Sequence, residues 1–153
     1  MFRRLLSRSL LLMLLVPRGS QAQTRVEALL AGQLFQLEVA AHPDSRRQGL
    51  MERTELQEGT GMLFDFPAGT SPSIWMRNME ISLDLLFVDD QAQLVQVFSE
   101  VPPCEGLPCA IYQAERPLRF VIEVPAGTAS RLGLQPGDQL DLGGYHLSPA
   151  PAF

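Results

Sequence analysis

Between residues 34 and 39, Phe35, Leu37 and Val39 alternate with Gln36 and Glu38, the period-two pattern of a strand with one face in a core. Val26 to Leu30 precedes it across Gly32-Gln33, and together the two segments predict a hairpin. His42-Pro43-Asp44-Ser45 reads as a helix entry, with proline at the first helical position and an acid in the first turn, so a short helix ending near Met51 is expected. Gly59 and Gly61 frame a turn before the apolar Met62-Leu63-Phe64, a buried strand ending at Pro67. A turn over Gly69 to Pro72 then leads into a strand carrying Trp75.

Ile81 to Val88 holds a continuous apolar stretch, Leu85-Leu86-Phe87-Val88, which fits a central strand better than so short a helix. Leu94 to Phe98 predicts another strand. Leu118, Phe120, Ile122 and Val124 give one apolar face of a further strand, with Arg119, Val121 and Glu123 on the other. Thr128 to Leu132 reads as one or two helical turns stopped by Gly133, and Leu140 to Leu147 as a closing hairpin through Gly143-Gly144. The Pro- and Ala-rich tail is expected to fray. Many short strands with one or two short helices predict a mostly β fold, a compact antiparallel β-barrel or sandwich.

The first 22 residues break this pattern. Arg3, Arg4 and Arg8 precede a leucine-rich run from Leu10 to Val16, followed by Ser20-Gln21-Ala22, the order of a cleavable secretory signal. The run is shorter than the roughly 20 residues a membrane span needs, so no stable span is expected after cleavage. Residues 23–153 then form one expected domain, with a core over about 25–147 and a monomeric module as the simplest form. The expected location is periplasmic or extracellular. Cys104 and Cys109, the two cysteines, enclose Glu105-Gly106-Leu107-Pro108, and in an exported chain they predict a disulfide. So small a ring contributes only about 2 kcal/mol in the chain-entropy model, acting as a local stiffener.

Charge narrows the partners. The chain carries a net −5, and the leader takes four arginines and no acid, so the remainder is more acidic still and nucleic acid is not an expected partner. All 12 basic residues are arginine, each able to form a planar bidentate pair with a carboxylate. Phosphate-loop, dinucleotide, zinc-protease and serine-hydrolase motifs are absent. His42 and His146 are too few for a histidine-rich metal site, and Met51, Met62, Met76 and Met79 fit core packing better than copper ligation. No cofactor and no metal is expected.

Trp75-Met76-Arg77-Asn78 sets the single tryptophan beside a cation and an amide, and Asp84 follows among apolar neighbours. On a regular strand Asp84 shares a face with Leu86 and Val88, where an acid needs a partner, and Arg77 is nearest in sequence. A hairpin over Asn78 to Leu83 would bring the two together. Arg46, Arg47 and Arg53 form a solvated basic face by default, or one of them converges with Arg77 on an anionic group. Asp84 and Glu123 form structural ion pairs, or act as an acid and base pair if their environments separate their protonation states. For Trp75, burial and ligand stacking stand equally open.

In order along the chain, Gly49-Leu50-Met51 with Arg53, Gly61-Met62-Leu63-Phe64, Phe66-Pro67, Trp75-Met76-Arg77-Asn78, Leu83-Asp84, Pro102-Pro103-Cys104, Pro108-Cys109 and Val124-Pro125-Ala126-Gly127 resemble the bacterial and archaeal family called domain of unknown function 192. The resemblance spans nearly all of the chain after the leader. It implies a small, single-domain β-barrel or sandwich-like fold, often exported, and brings no established activity or cofactor. Two positions depart from the family pattern, Arg77 where lysine is usual and Ser82 where proline is usual. Arginine keeps the charge with another geometry, and Ser82 loosens the expected hairpin tip.

The sequence thus points to an exported, non-catalytic ligand-binding or accessory module of the cell envelope. Its candidate site is Trp75, Arg77, Asn78 and Asp84 with Arg47 and Glu123, its expected partner a small polar ligand or an envelope protein. The alternatives are a small acid–base enzyme using Asp84 or Glu123 on a polar substrate, and a purely structural domain.

Overall fold

The period-two pattern near the start buries Val26, Ala28 and Leu30 of β1 (Arg25–Leu30) and Phe35, Leu37 and Val39 of β2 (Gln33–Ala40). Between them Ala31 and Gly32 both take left-handed backbone angles, φ 48° and 81°, as a tight hairpin turn requires. These strands open a computed structural model that describes residues 24–153. The leader expected over residues 1–22 lies outside the described residues.

A short helix, α1 (Pro43–Gln48), and the loop after it carry the chain back, so that β3 (Thr60–Asp65) lies parallel to β2 with Gln36 beside Thr60 and Ala40 beside Phe64. This is the one parallel pairing in an otherwise antiparallel sheet, and the crossover supplies the length that parallel neighbours need. The remaining strands of the sheet are β5 (Leu83–Val88), β6 (Leu94–Val101) and β8 (Phe120–Pro125), all in antiparallel pairs. The six-stranded order is β1-β2-β3-β8-β5-β6, and β4 (Ser73–Ile74) pairs separately with β7 (Tyr112–Gln113). With α2 (Thr128–Leu132) the fold is mostly β with two short helices, and its sheet is open.

Both faces of the sheet are covered. Leu37, Leu63, Leu86, Phe120, Ile122 and Val124 pack on one side with α2 and the segment near Leu140. Met62, Phe64, Leu85, Phe87 and Val121 pack on the other against Leu50, Ile74 and Met76. This explains why β5 reads as a continuous apolar run, since a strand in mid-sheet has no solvated face.

Two C-terminal expectations change. Leu140 to Leu147 is not a hairpin. With the residues just before it, its first part laces the two sheet edges: Leu29 of β1 and Asp141 exchange backbone hydrogen bonds of 2.7 and 3.2 Å, Leu94 of β6 donates to Asp138 at 2.8 Å, and Leu140 donates to Ala92 in the β5–β6 turn at 2.9 Å. Gly143 lies against Glu27, 2.8 Å from that carbonyl to where a Cβ would stand, so this glycine seats the segment on β1 and the chain continues into a 3₁₀ turn over Tyr145–Leu147. Nor is the chain loose after Leu147. The buried Arg119 guanidinium makes two bonds to Asp65, at 2.9 and 3.1 Å, and also donates to the carbonyls of His146, Ser148 and Pro149 at 2.8–3.2 Å.

Candidate functional site

Glu123 stands on β8 between Ile122 and Val124, whose side chains enter the first core, so the pleat turns Glu123 to the opposite face. There it is 4 % exposed. No hydrogen bond or ion pair holds its carboxyl among the described residues. Burial alone pushes its pKa up from 4.5 to about 8, so the group carries a proton at neutral pH.

A cleft of about 90 Å³ opens onto this acid. One wall comes from α1 and the loop after it, Arg46 to Met51; Phe64 and Phe66 of the β3 region, Ser73, Ile74, Trp75 and Met79 complete it. Local sequence explains each wall. His42 and Ser45 exchange hydrogen bonds of 3.1 and 2.9 Å across the helix start. Gly49 then takes φ 48°, where a Cβ would meet the Phe64 ring at 3.1 Å, so only glycine lets the loop pass this close. Leu50 anchors the loop in the core, and Arg53 fastens it to Glu38 with two bonds of 2.9 and 2.7 Å.

The opposite lip depends on the short β4–β7 pair. Ile74 and Met76 point inward, and the Cys104 amide donates to the Met76 carbonyl at 3.0 Å, so Trp75 between them faces outward. It is 44 % exposed and the Arg77 guanidinium lies 5.6 Å from its ring, a cation–π contact. Trp75 therefore follows its strand instead of sitting in it, and it is no core residue.

Arg46 is fixed, donating to the carbonyls of Ala41 at 2.6 Å and Asp65 at 3.0 Å over the Phe66 ring. Burial lowers its pKa, with the Asp65 charge opposing, yet a guanidinium remains a cation here. Arg47 is exposed and pairs with Asp44 at 3.0 Å. Together they give the cleft a positive wall above a neutral acid.

Of the residues singled out from sequence, Trp75, Arg47 and Glu123 meet at this cleft. Arg77 and Asn78 line a separate hollow with the Cys104–Cys109 disulfide loop, although the Asn78 side-chain amide also donates to the Met51 sulfur of the cleft wall at 3.9 Å. Asp84 belongs to neither. It is fully buried on the face of Leu86 and Val88, as its position in the strand requires, and accepts hydrogen bonds from the backbone amides of Glu100, Gly127 and Ala129 at 2.7, 3.1 and 2.7 Å. The expected Arg77–Asp84 pair is thus corrected: β4 pairs with β7, no hairpin returns Asp84 to Arg77, and the sheet separates them. An Asp84–Glu123 acid and base pair is excluded for the same reason. Asp84 lies opposite Val124 and Glu123 opposite Leu85, so the two acids point to different faces.

Sequence reasoning named Arg46 only among the arginines of a basic face and missed Met51 and Met79 as cleft residues. The methionines look like core fillers next to Leu50 and Trp75, and only the Gly49-Leu50-Met51 motif marked this loop. Among the described residues no group of three or more His, Cys, Asp or Glu side chains could hold a metal ion.

The family model for domain of unknown function 192, described as uncharacterized ACR, matches residues 25–142. The chain belongs to this family. Two solved structures resemble it across most of its length. One, provisionally described as a transcription regulator from Sinorhizobium meliloti 1021, is 34 % identical with a TM-score of 0.71, covering 80 % of this chain and 95 % of its own. The other, a protein of unknown function from Novosphingobium aromaticivorans DSM 12444, is 30 % identical with a TM-score of 0.70, covering 82 % and 89 %. Comparison with functionally curated proteins gives no match. Membership in the domain of unknown function 192 family therefore supports the fold and leaves the activity to the site.

Proposed function

We propose that this protein is an exported small-ligand-binding module of the cell envelope, periplasmic or extracellular, whose site is the cleft between α1 and Trp75. One observation carries this reading: Glu123 is buried, unpartnered and opens onto the cleft. An acid without a hydrogen bond costs stability where it stands, and such groups collect at sites that use them. Trp75 offers an aromatic lip, Arg47 an exposed cation, and Arg77 with Asn78 extends the polar surface beyond the lip. The signal-like order of residues 1–22 and the disulfide in the 104–109 loop support export.

Because Trp75 is the single tryptophan, its fluorescence reports on the cleft directly. A panel of small amines, acids, amides and sugars should yield a compound that changes this emission and raises the melting temperature. Both effects should vanish in Glu123→Ala, and the thermal shift in Trp75→Ala. A stabilising compound whose effect survives both substitutions would place the site elsewhere. Export is checked by mass spectrometry of the protein from the periplasm of a bacterial host: a chain starting near Gln23 is expected, and an intact Met1 refutes it.

A second reading is favoured by the raised pKa of Glu123, since a carboxyl titrating near 8 suits general acid–base work. In that case turnover of the bound compound disappears in Glu123→Gln while binding persists. Asp84, with its oxygens engaged by three amides, has no part in it.

A further inference from the structure

Resting on that binding reading, we propose that the cleft takes the carboxylate end of a small organic acid, seated between the Glu123 carboxyl on its floor and the arginines of α1 on its wall. The argument is one of complementary groups. A carboxylic acid holding its proton offers one O–H donor, and this one has nothing to give it to. A carboxylate is the strongest neutral-pH acceptor of planar shape, and O–H to carboxylate bonds are among the short, strong ones.

The charged groups that line the cleft beside Glu123 are cations, and each nearby anion is turned away or paired, Asp44 with Arg47 at 3.0 Å. From α1 the cleft is faced by Arg46 and Arg47. From β2, Glu38 is bound by Arg53; from β3, Asp65 is turned to Arg119; on β5, Asp84 lies on the other face. From the lip segment, Arg77 stacks on Trp75. An ammonium entering here would meet cations and no free anion. A carboxylate meets a guanidinium and a proton donor at once. The 90 Å³ volume fits the head of such a ligand and leaves the rest to run out past Trp75.

The test titrates the mature protein with propionate, propionamide, propylammonium and inorganic phosphate. Readouts are Trp75 fluorescence and the methyl NMR signals of Met51 and Met79, with chloride matching ionic strength. Propionate should give saturable shifts at pH 6.5, and its affinity should fall about tenfold per pH unit above about 8, where Glu123 loses its proton. Glu123→Gln keeps an N–H donor, so binding should persist and lose that pH dependence; Glu123→Ala should abolish it. Arg47→Ala should weaken it severalfold. Preferential saturation by propylammonium, propionamide or phosphate overturns the ligand class and leaves the cleft as the site. The pH dependence persisting in Glu123→Gln overturns the role given to that carboxyl. Silence from all four probes overturns the ligand class, and silence from the wider panel, sugars included, overturns the binding reading as well.

Discussion

Replacing Glu123 by glutamine should make this protein more stable at neutral pH, and the gain should grow with pH. In the unfolded chain the acid ionises at 4.5, whereas in the fold it holds its proton up to about 8. Below pH 4.5 both states are protonated and the group has no effect. Between the two values folding must take up a proton, so stability falls as pH rises; above about 8 both states are ionised and the loss is complete. At about 1.4 kcal/mol per pKa unit, this costs the native protein about 3 kcal/mol at pH 7. Glutamine has nearly the same shape and no charge to bury. Glu123→Gln should therefore gain about 3 kcal/mol at pH 7, or about 10 °C in melting temperature, with no gain near pH 4. Urea denaturation of both proteins from pH 4 to 8.5, with the disulfide intact, measures the difference, and every other titrating group cancels. A gain that ignores pH, or a loss of stability at pH 7, would refute the reasoning. The wild-type acid is a destabilising choice on this account, which is the behaviour of a residue kept for something other than the fold.

Asp84→Ala should be severe, at about 3 kcal/mol or more in urea denaturation, because three backbone amides lose one buried acceptor group. Arg119→Ala strands Asp65 and frees the carbonyls of His146, Ser148 and Pro149, so a loss of about 3–5 kcal/mol should come with faster amide exchange over 145–148. Gly61→Ala drives a Cβ into the Glu123 carbonyl, with Leu37 and Val124 at 3.0 and 3.1 Å; a drop of at least about 2 kcal/mol in urea stability is expected. Arg47→Ala, which removes only an exposed pair with Asp44, should stay within about 0.5 kcal/mol of wild type by the same assay.

Much of the sheet was legible because its residues carry a local period. Phe35, Leu37 and Val39 fixed β2, and the apolar run at Leu85 to Val88 announced a strand covered on both sides. The parallel pairing of β2 and β3 was not legible, since a crossover's direction is decided by where the chain returns and leaves no local mark. Glu123 could be assigned a face opposite Ile122, but its lack of any partner depends on what packs above it. Asp84 illustrates the converse: sequence showed that it needed a partner, and nearness in sequence suggested Arg77. The partners came instead from backbone amides more than 40 residues away at Gly127 and Ala129, and from Glu100. Side-chain charges can be read in a sequence, whereas free backbone donors cannot.

The segment that laces the sheet edges also sets the order in which the fold can form. Leu29 on the first strand waits for Asp141, and Ala92 waits for Leu140, so both edges stay open until that late segment exists. A ribosome delivers these residues long after β1 has emerged. Pairings this distant in sequence form slowly, and a chain lacking them presents unpaired strand edges to its neighbours. A chain ending before residue 137 should thus leave both edges unpaired and aggregate more readily than the full chain.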